Sequence, residues 1–216
     1  MANLEEVVVK SKPSLRRYIE TACLVLVGLF MIVNLPEPSR AGGASDQVRQ
    51  SVEAVLRIVR GQEISGASAI QRRDELRKII AARFDFGEMS KRALGAEWRR
   101  RTTEEQSEFA QLFAGLLENA YLKQIEAIKH EQVTFGRERI DGKAAEVETS
   151  VLTKENKELS IDYRLISTNG QWRVYDVVIE DVSLVNNYRS QFNRLLAKMP
   201  FDQLLRDLRA RQTVAG

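Results

Sequence analysis

A carboxylate and a phenol on one apolar face form a pair that can do chemistry. In a dry pocket the first abstracts a proton while the second steadies the oxyanion that results. Tyr163 and Asp176 are the candidates in this 216-residue chain. Leu159, Ile161, Tyr163 and Leu165 alternate with Ser160, Asp162 and Arg164, the period of a half-buried strand. Asn169-Gly170 follows, a pair that accepts positive φ at both positions and suits a type I′ hairpin turn. If that turn sets the register, Leu165 faces Val174, Tyr163 faces Asp176 and Ile161 faces Val178. Asp176 then has two readings: a structural acid bonded to a nearby helix, or a polar group inside a cavity.

Other chemistry is thinly supplied. His130 is the only histidine, so a two-His metal motif is excluded, and no G-x-S-x-G elbow offers it a serine. No G-x-G-x-x-G, P-loop or H-E-x-x-H occurs, which leaves nucleotide and zinc chemistry without their usual carriers. Cys23 is the only cysteine and lies at the start of an apolar run, not at the end where a lipoprotein would be acylated. No catalytic residue, metal ligand or cofactor is assigned on these grounds.

The elements that position Tyr163 and Asp176 follow from periodicity. Gln132 to Ile140, Lys143 to Leu152, Leu159 to Ser167 and Trp172 to Ile179 read as strands, with turns at Asp141-Gly142, Glu155-Asn156 and Asn169-Gly170. Helices are predicted over 46–59 with Ser45 as cap, over 69–83, and from Asp85 to Leu94 with Gly95 as C′ residue. The longest opens at Thr102 or Thr103 and carries Phe109, Leu112, Phe113, Leu116, Leu117, Tyr121 and Ile125 as a broad stripe. Two more close the chain, over 184–198 behind Ser183 and over 201–209. The expected fold is α+β: a curved four-stranded antiparallel meander, similar to the NTF2-like architecture, covered by about six helices that enclose an apolar pocket.

Residues 1–41 read as a secretory signal peptide. Lys10, Lys12, Arg16 and Arg17 precede the apolar run Thr21 to Val33, and Ser39-Arg40-Ala41 offers small residues at −3 and −1. The early Glu5 and Glu6 keep an uncleaved membrane anchor open as the alternative. Residues 42–216 then form a single domain without cysteine, stabilised by its core. A net charge of +3 at pH 7 is too balanced for the basic footprint of a nucleic-acid binder. The densest cluster, Arg99-Arg100-Arg101, is either a solvated loop or a contact for anionic head groups or an acidic partner.

The stretch NGQWRVYDVVIEDVSLVNNYRSQF resembles the C-terminal signature of the MlaC family, the toluene-tolerance family. Phe84-Asp85-Phe86 with Met89, Leu94-Gly95, Trp98-Arg99, and Phe109 through Tyr121 fall where that family has its FDF, LG, WR and F-x-x-x-F-x-x-L-L-x-x-x-Y elements. The resemblance implies a periplasmic carrier, expected to be monomeric, that holds phospholipid tails. It further implies shuttling between an outer-membrane lipoprotein complex and an inner-membrane ABC transporter with an MCE-domain subunit. Some members are associated with hopanoid synthesis, so a polycyclic cargo is the alternative. Residues expected to line the pocket are Phe113, Leu116, Leu117, Tyr121, Tyr163, Leu165, Val174 and Val178. Trp172, Tyr175 and Asp176 match a W-x-x-Y-D element and are read as shaping the hairpin against the Ser183 helix. Two other classes compete: a small NTF2-like enzyme using Tyr163 and Asp176, and a protein-binding adaptor, which would have a dry and fully packed interior.

Overall fold

A computed structural model describes residues 43–61, 68–128, 131–153 and 156–214. The signal-peptide reading of 1–41, His130 and Glu155 lie outside the described residues. Among them are six α-helices: α1 (Ala44–Val59), α2 (Ala69–Arg83), α3 (Phe86–Leu94), α4 (Thr103–Ala127), α5 (Leu184–Leu196) and α6 (Phe201–Val214). The strands are β1 (Gln132–Asp141), β2 (Ala144–Leu152), β3 (Glu158–Thr168), β4 (Gln171–Ile179) and β5 (Val182–Ser183). They form one antiparallel sheet in the order β1-β2-β3-β4-β5.

The α+β meander is therefore present, with a short fifth strand beyond the expected four. Its turn, Glu180-Asp181, takes positive φ at both residues (47° and 63°) without a glycine, so no turn residue marks it. Asn169-Gly170 adopts the expected pair of positive φ values, 51° and 77°. Helix starts follow their caps: Thr102 and Glu105 form a reciprocal box on α4, Asp85 accepts from Glu88 N–H, and Ser183 Oγ accepts from Asn186 N–H. Ser45 is not a cap, because α1 begins two residues earlier than expected, at Ala44 behind Gly43. Ser45 N–H instead donates to the Glu138 carboxylate at 2.6 Å, an anion placed where a helix N-terminus favours one. Gly43 allows that approach, since a Cβ there would sit 3.1 Å from both Glu138 oxygens.

Three apolar clusters hold the layers. One joins α3, α4, α5 and α6 around Phe109, Phe113, Tyr188 and Phe192. A second packs α1 on the sheet through Val48, Val52, Val147, Ile161 and Leu165. The third is small: Val55, Ile58, Leu76 and Leu122 tie α1, α2 and α4. Leu76 is the one residue of α2 that is fully buried. The space where these clusters fail to meet positions the site.

Candidate functional site: an apolar cavity between helices and sheet

A cavity of about 380 Å³ lies between α1, α2 and α4 on one side and β3–β4 on the other, within the range of small-ligand pockets. Val52 and Val55 of α1, Ile79 and Ile80 of α2, and Ile161 and Val177 of the hairpin represent its walls, which are almost wholly apolar. Ala114, Leu117, Glu118, Tyr121, Leu122 and Ile125 come from α4. Their spacing marks one helical face. The expected broad stripe of α4 thus divides, one side toward the cavity and the other into the helical core.

The division sorts the eight residues named for the pocket. Leu117, Tyr121, Tyr163 and Val174 line the cavity; Phe113, Leu116, Leu165 and Val178 do not. Phe113 stacks edge-on against Tyr188 and Phe192, with ring centroids 5.1 and 5.5 Å away. Leu116 packs against that same cluster. Leu165 is sealed between α1 and the sheet.

Val178 is displaced for a different reason. Leu165 pairs with Val174 as the turn dictates, but the register shifts between Arg164 and Leu165. The β4 strand carries an extra residue there, a β-bulge. Beyond it Arg164, not Tyr163, faces Asp176, Tyr163 faces Val177, and Asp162 faces Val178. Because directly opposed residues share a face, the bulge moves Val177 and Ile179 onto the cavity and turns Val178 away.

The same slip separates the candidate catalytic pair. Tyr163 and Asp176 occupy opposite faces of the hairpin, so they cannot serve one substrate. Asp176 is 4% exposed and accepts from Ser183 Oγ–H at 2.6 Å, from Val185 N–H at 3.0 Å and from Arg164 Nη1 at 3.4 Å. It anchors the start of α5, the structural reading of that acid. Tyr175 lies under the Arg92 guanidinium, 3.9 Å from its ring centroid. The Trp172 side chain packs against the α1–sheet cluster, and its backbone N–H donates to Gln47 Oε1 on α1 at 3.1 Å. Tyr163 faces the cavity with its hydroxyl buried and without a hydrogen-bond partner. Burial holds that phenol above its ordinary pKa.

Charge enters at the rim. Arg77 and Glu118, both partly exposed, form an ion pair across the α2–α4 gap, and Arg73 makes two bonds to Glu126 at 2.7 and 3.0 Å nearby. Arg83 also lines the cavity. Of the arginine cluster, Arg100 and Arg101 close on Glu97, Arg101 covers the Phe201 ring, and Arg99 is exposed.

Comparison with known proteins places this geometry. The model of the MlaC protein family matches residues 49–210. The chain belongs to the MlaC family. The span matched to MlaC takes in every cavity-lining residue except Val48. A phospholipid-binding protein from Ralstonia solanacearum, solved in complex with a phospholipid, superposes with a TM-score of 0.71 at 24% identity, over 81% of this chain and 99% of that one. The likeness establishes a shared fold. No curated protein aligns significantly with the chain. Sequence reasoning missed Ala114, three residues before Leu117 on the same helical face, although helical spacing points to it. It also missed Val177 and Ile179, for which the unmarked bulge left no signal.

Proposed function

We propose that this MlaC-family chain is a periplasmic lipid carrier that takes the acyl chains of a phospholipid into the cavity between α1, α2, α4 and the β3–β4 hairpin. It passes that lipid between an outer-membrane lipoprotein complex and an inner-membrane ABC transporter with an MCE-domain subunit. The observation that carries this reading is the cavity itself: a space of about 380 Å³ with almost wholly apolar walls, and with the partly exposed Arg77–Glu118 pair among its lining residues. The phospholipid held by the Ralstonia solanacearum protein of the same fold supports it.

Energetics fit a carrier. Each buried methylene contributes about 0.8 kcal/mol, but a bilayer offers the lipid nearly the same. Affinity near that of the membrane lets partner contacts decide the direction of transfer. The chain would reach the periplasm by cleavage after Ala41. The test expresses the full chain in a Gram-negative host, measures the intact mass of the periplasmic product, and incubates it with vesicles containing labelled phospholipid and with an MCE-domain subunit. The expected result is a product starting at Gly42 that takes up label and hands it on. A product that retains residues 1–41 in the membrane fraction, or that takes up no label, contradicts the proposal.

A further inference from the structure

The outer side of α5 offers solvent charge of a single sign. Arg189 and Arg194 stand exposed on it, Lys198 follows just beyond its end, and no Asp or Glu occurs from Leu184 to Lys198. Even its first turn, where a helix dipole favours an acid, has none. α3 packs alongside it in the helical core and runs into a short 3-10 helix, Gly95–Arg100. Residues 86–101 and 184–198 together hold eight Lys or Arg and two Glu, a surplus of six, where the whole chain has a surplus of three.

The two carboxylates are already taken. Glu88 holds Lys91 and Arg92 at 3.2 and 2.9 Å, and Glu97 holds Arg100 and Arg101 at 2.7 and 2.9 Å. Each acid meets two cations and leaves one charge unbalanced. Arg99, Arg189, Arg194 and Lys198 are exposed, and among the described residues they meet no carboxylate. Arg189 joins the elements into one surface: a Cβ on Gly95 would lie 3.1 Å from its Nε, so the guanidinium rests on the start of the helix that carries Arg99. A favourable helix-end charge accounts for Arg194 in the last turn of α5. It does not account for Arg99 or Arg189.

Charge gives the sign of the partner, and the lack of apolar surface gives its kind. A protein interface is centred on aromatic or aliphatic anchors. The large apolar side chains that stand exposed among the described residues, Ile70, Ile140, Leu152 and Val182, all lie on other elements. A fluid layer of anionic lipid head groups needs no such anchor, because each Lys or Arg near it adds attraction by itself. α3 and α5 also contribute Met89 and Leu184 to the cavity wall, so contact through their outer sides would set the cavity beside a bilayer.

We propose that the α3–α5 face docks the protein on anionic membrane surfaces, weakly and reversibly. This goes beyond the carrier reading, since it concerns the surface the protein visits and not the cargo it holds. Each exposed cation strengthens such adsorption about fivefold, and salt reverses it.

The experiment sediments protein obtained by expressing the full chain with vesicles of phosphatidylcholine alone or of equal parts phosphatidylcholine and phosphatidylglycerol, at low and at high salt. Wild type is expected on the anionic vesicles at low salt only. Arg99→Gln, Arg189→Gln and Arg194→Gln combined should weaken that adsorption at least about tenfold. A control combining Arg137→Gln, Arg139→Gln and Lys143→Gln removes the same charge from exposed positions at the sheet edge and should leave adsorption nearly unchanged. All three proteins share one N-terminus, so differences between them report on the α3–α5 face. The wild-type dependence on phosphatidylglycerol and salt tests the proposal even if the first variant does not fold. Wild type that binds both vesicles alike or neither, or an equal loss in both variants, overturns it. Retention on immobilised polyglutamate without vesicle binding assigns the face to an acidic protein and overturns it too. Uptake of labelled phospholipid from neutral vesicles should be equal in all three proteins, and its loss from the first variant alone would put these arginines in cargo binding and overturn the proposal. Uptake by none of them removes the carrier reading and leaves docking standing.

Discussion

Tyr163 shows how a single atom can mark the site. Its hydroxyl is buried with no partner, and an unsatisfied buried donor costs about 1–3 kcal/mol. Tyr163→Phe removes that donor and keeps the ring, so the lipid-free variant is expected to melt at a higher temperature than wild type. A lower melting temperature would mean that the hydroxyl is satisfied. Asp162 carries the opposite lesson on the face of the sheet turned away from the cavity. Burial raises its carboxyl pKa, and the neighbouring Glu146 and Glu148 raise it further. A folded-state pKa above the unfolded value means that the native state binds the proton more tightly. The ionised group therefore opposes folding at neutral pH, and the penalty fades as pH falls below the unfolded value. Asp162→Asn should raise the melting temperature at neutral pH, with the gain vanishing through the acidic carboxylate range. A gain independent of pH would show that the charge is not its cause.

At the scale of elements, α2 is the wall most able to move. It commits only Leu76 fully to the core and is fastened to α4 by Arg73–Glu126 and Arg77–Glu118. Those side chains are 26–45% exposed, and ion pairs so placed contribute about 0–1 kcal/mol each. Replacing Arg73 and Arg77 together with alanine should cost at most about 2 kcal/mol of stability yet speed lipid exchange with vesicles. Added salt should speed exchange in wild type more than in the variant. Exchange rates that match wild type at all salt concentrations would place the entrance elsewhere. The elements themselves were legible because their signals are local: caps at Thr102 and Ser183, the Asn169-Gly170 turn, and alternation along β3. The bulge in β4 was not, because it answers a tertiary demand, the anchoring of α5 by Asp176. One inserted residue then exchanged Val178 for Val177 on the cavity wall and broke the apparent Tyr163–Asp176 pair. The α4 stripe was legible as apolar, but which side faced space and which faced Phe192 depends on α5, far along the chain.

For the molecule as a whole the cavity is the costly feature. An apolar space of about 380 Å³ leaves the side chains of its walls without packing partners, so a guest that fills it should stabilise the fold measurably. The MlaC family match runs across the cavity's walls, and on the carrier reading cargo completes the core that the side chains leave unfinished. The most direct measurement is organic extraction of the purified protein followed by quantitative mass spectrometry, on wild type and on Ala114→Phe, which fills the cavity from α4. Wild type should yield close to one diacyl phospholipid per chain and Ala114→Phe little or none, with the variant at least as heat-stable as lipid-free wild type. Absence of lipid from wild type, or equal lipid from both, would contradict the account.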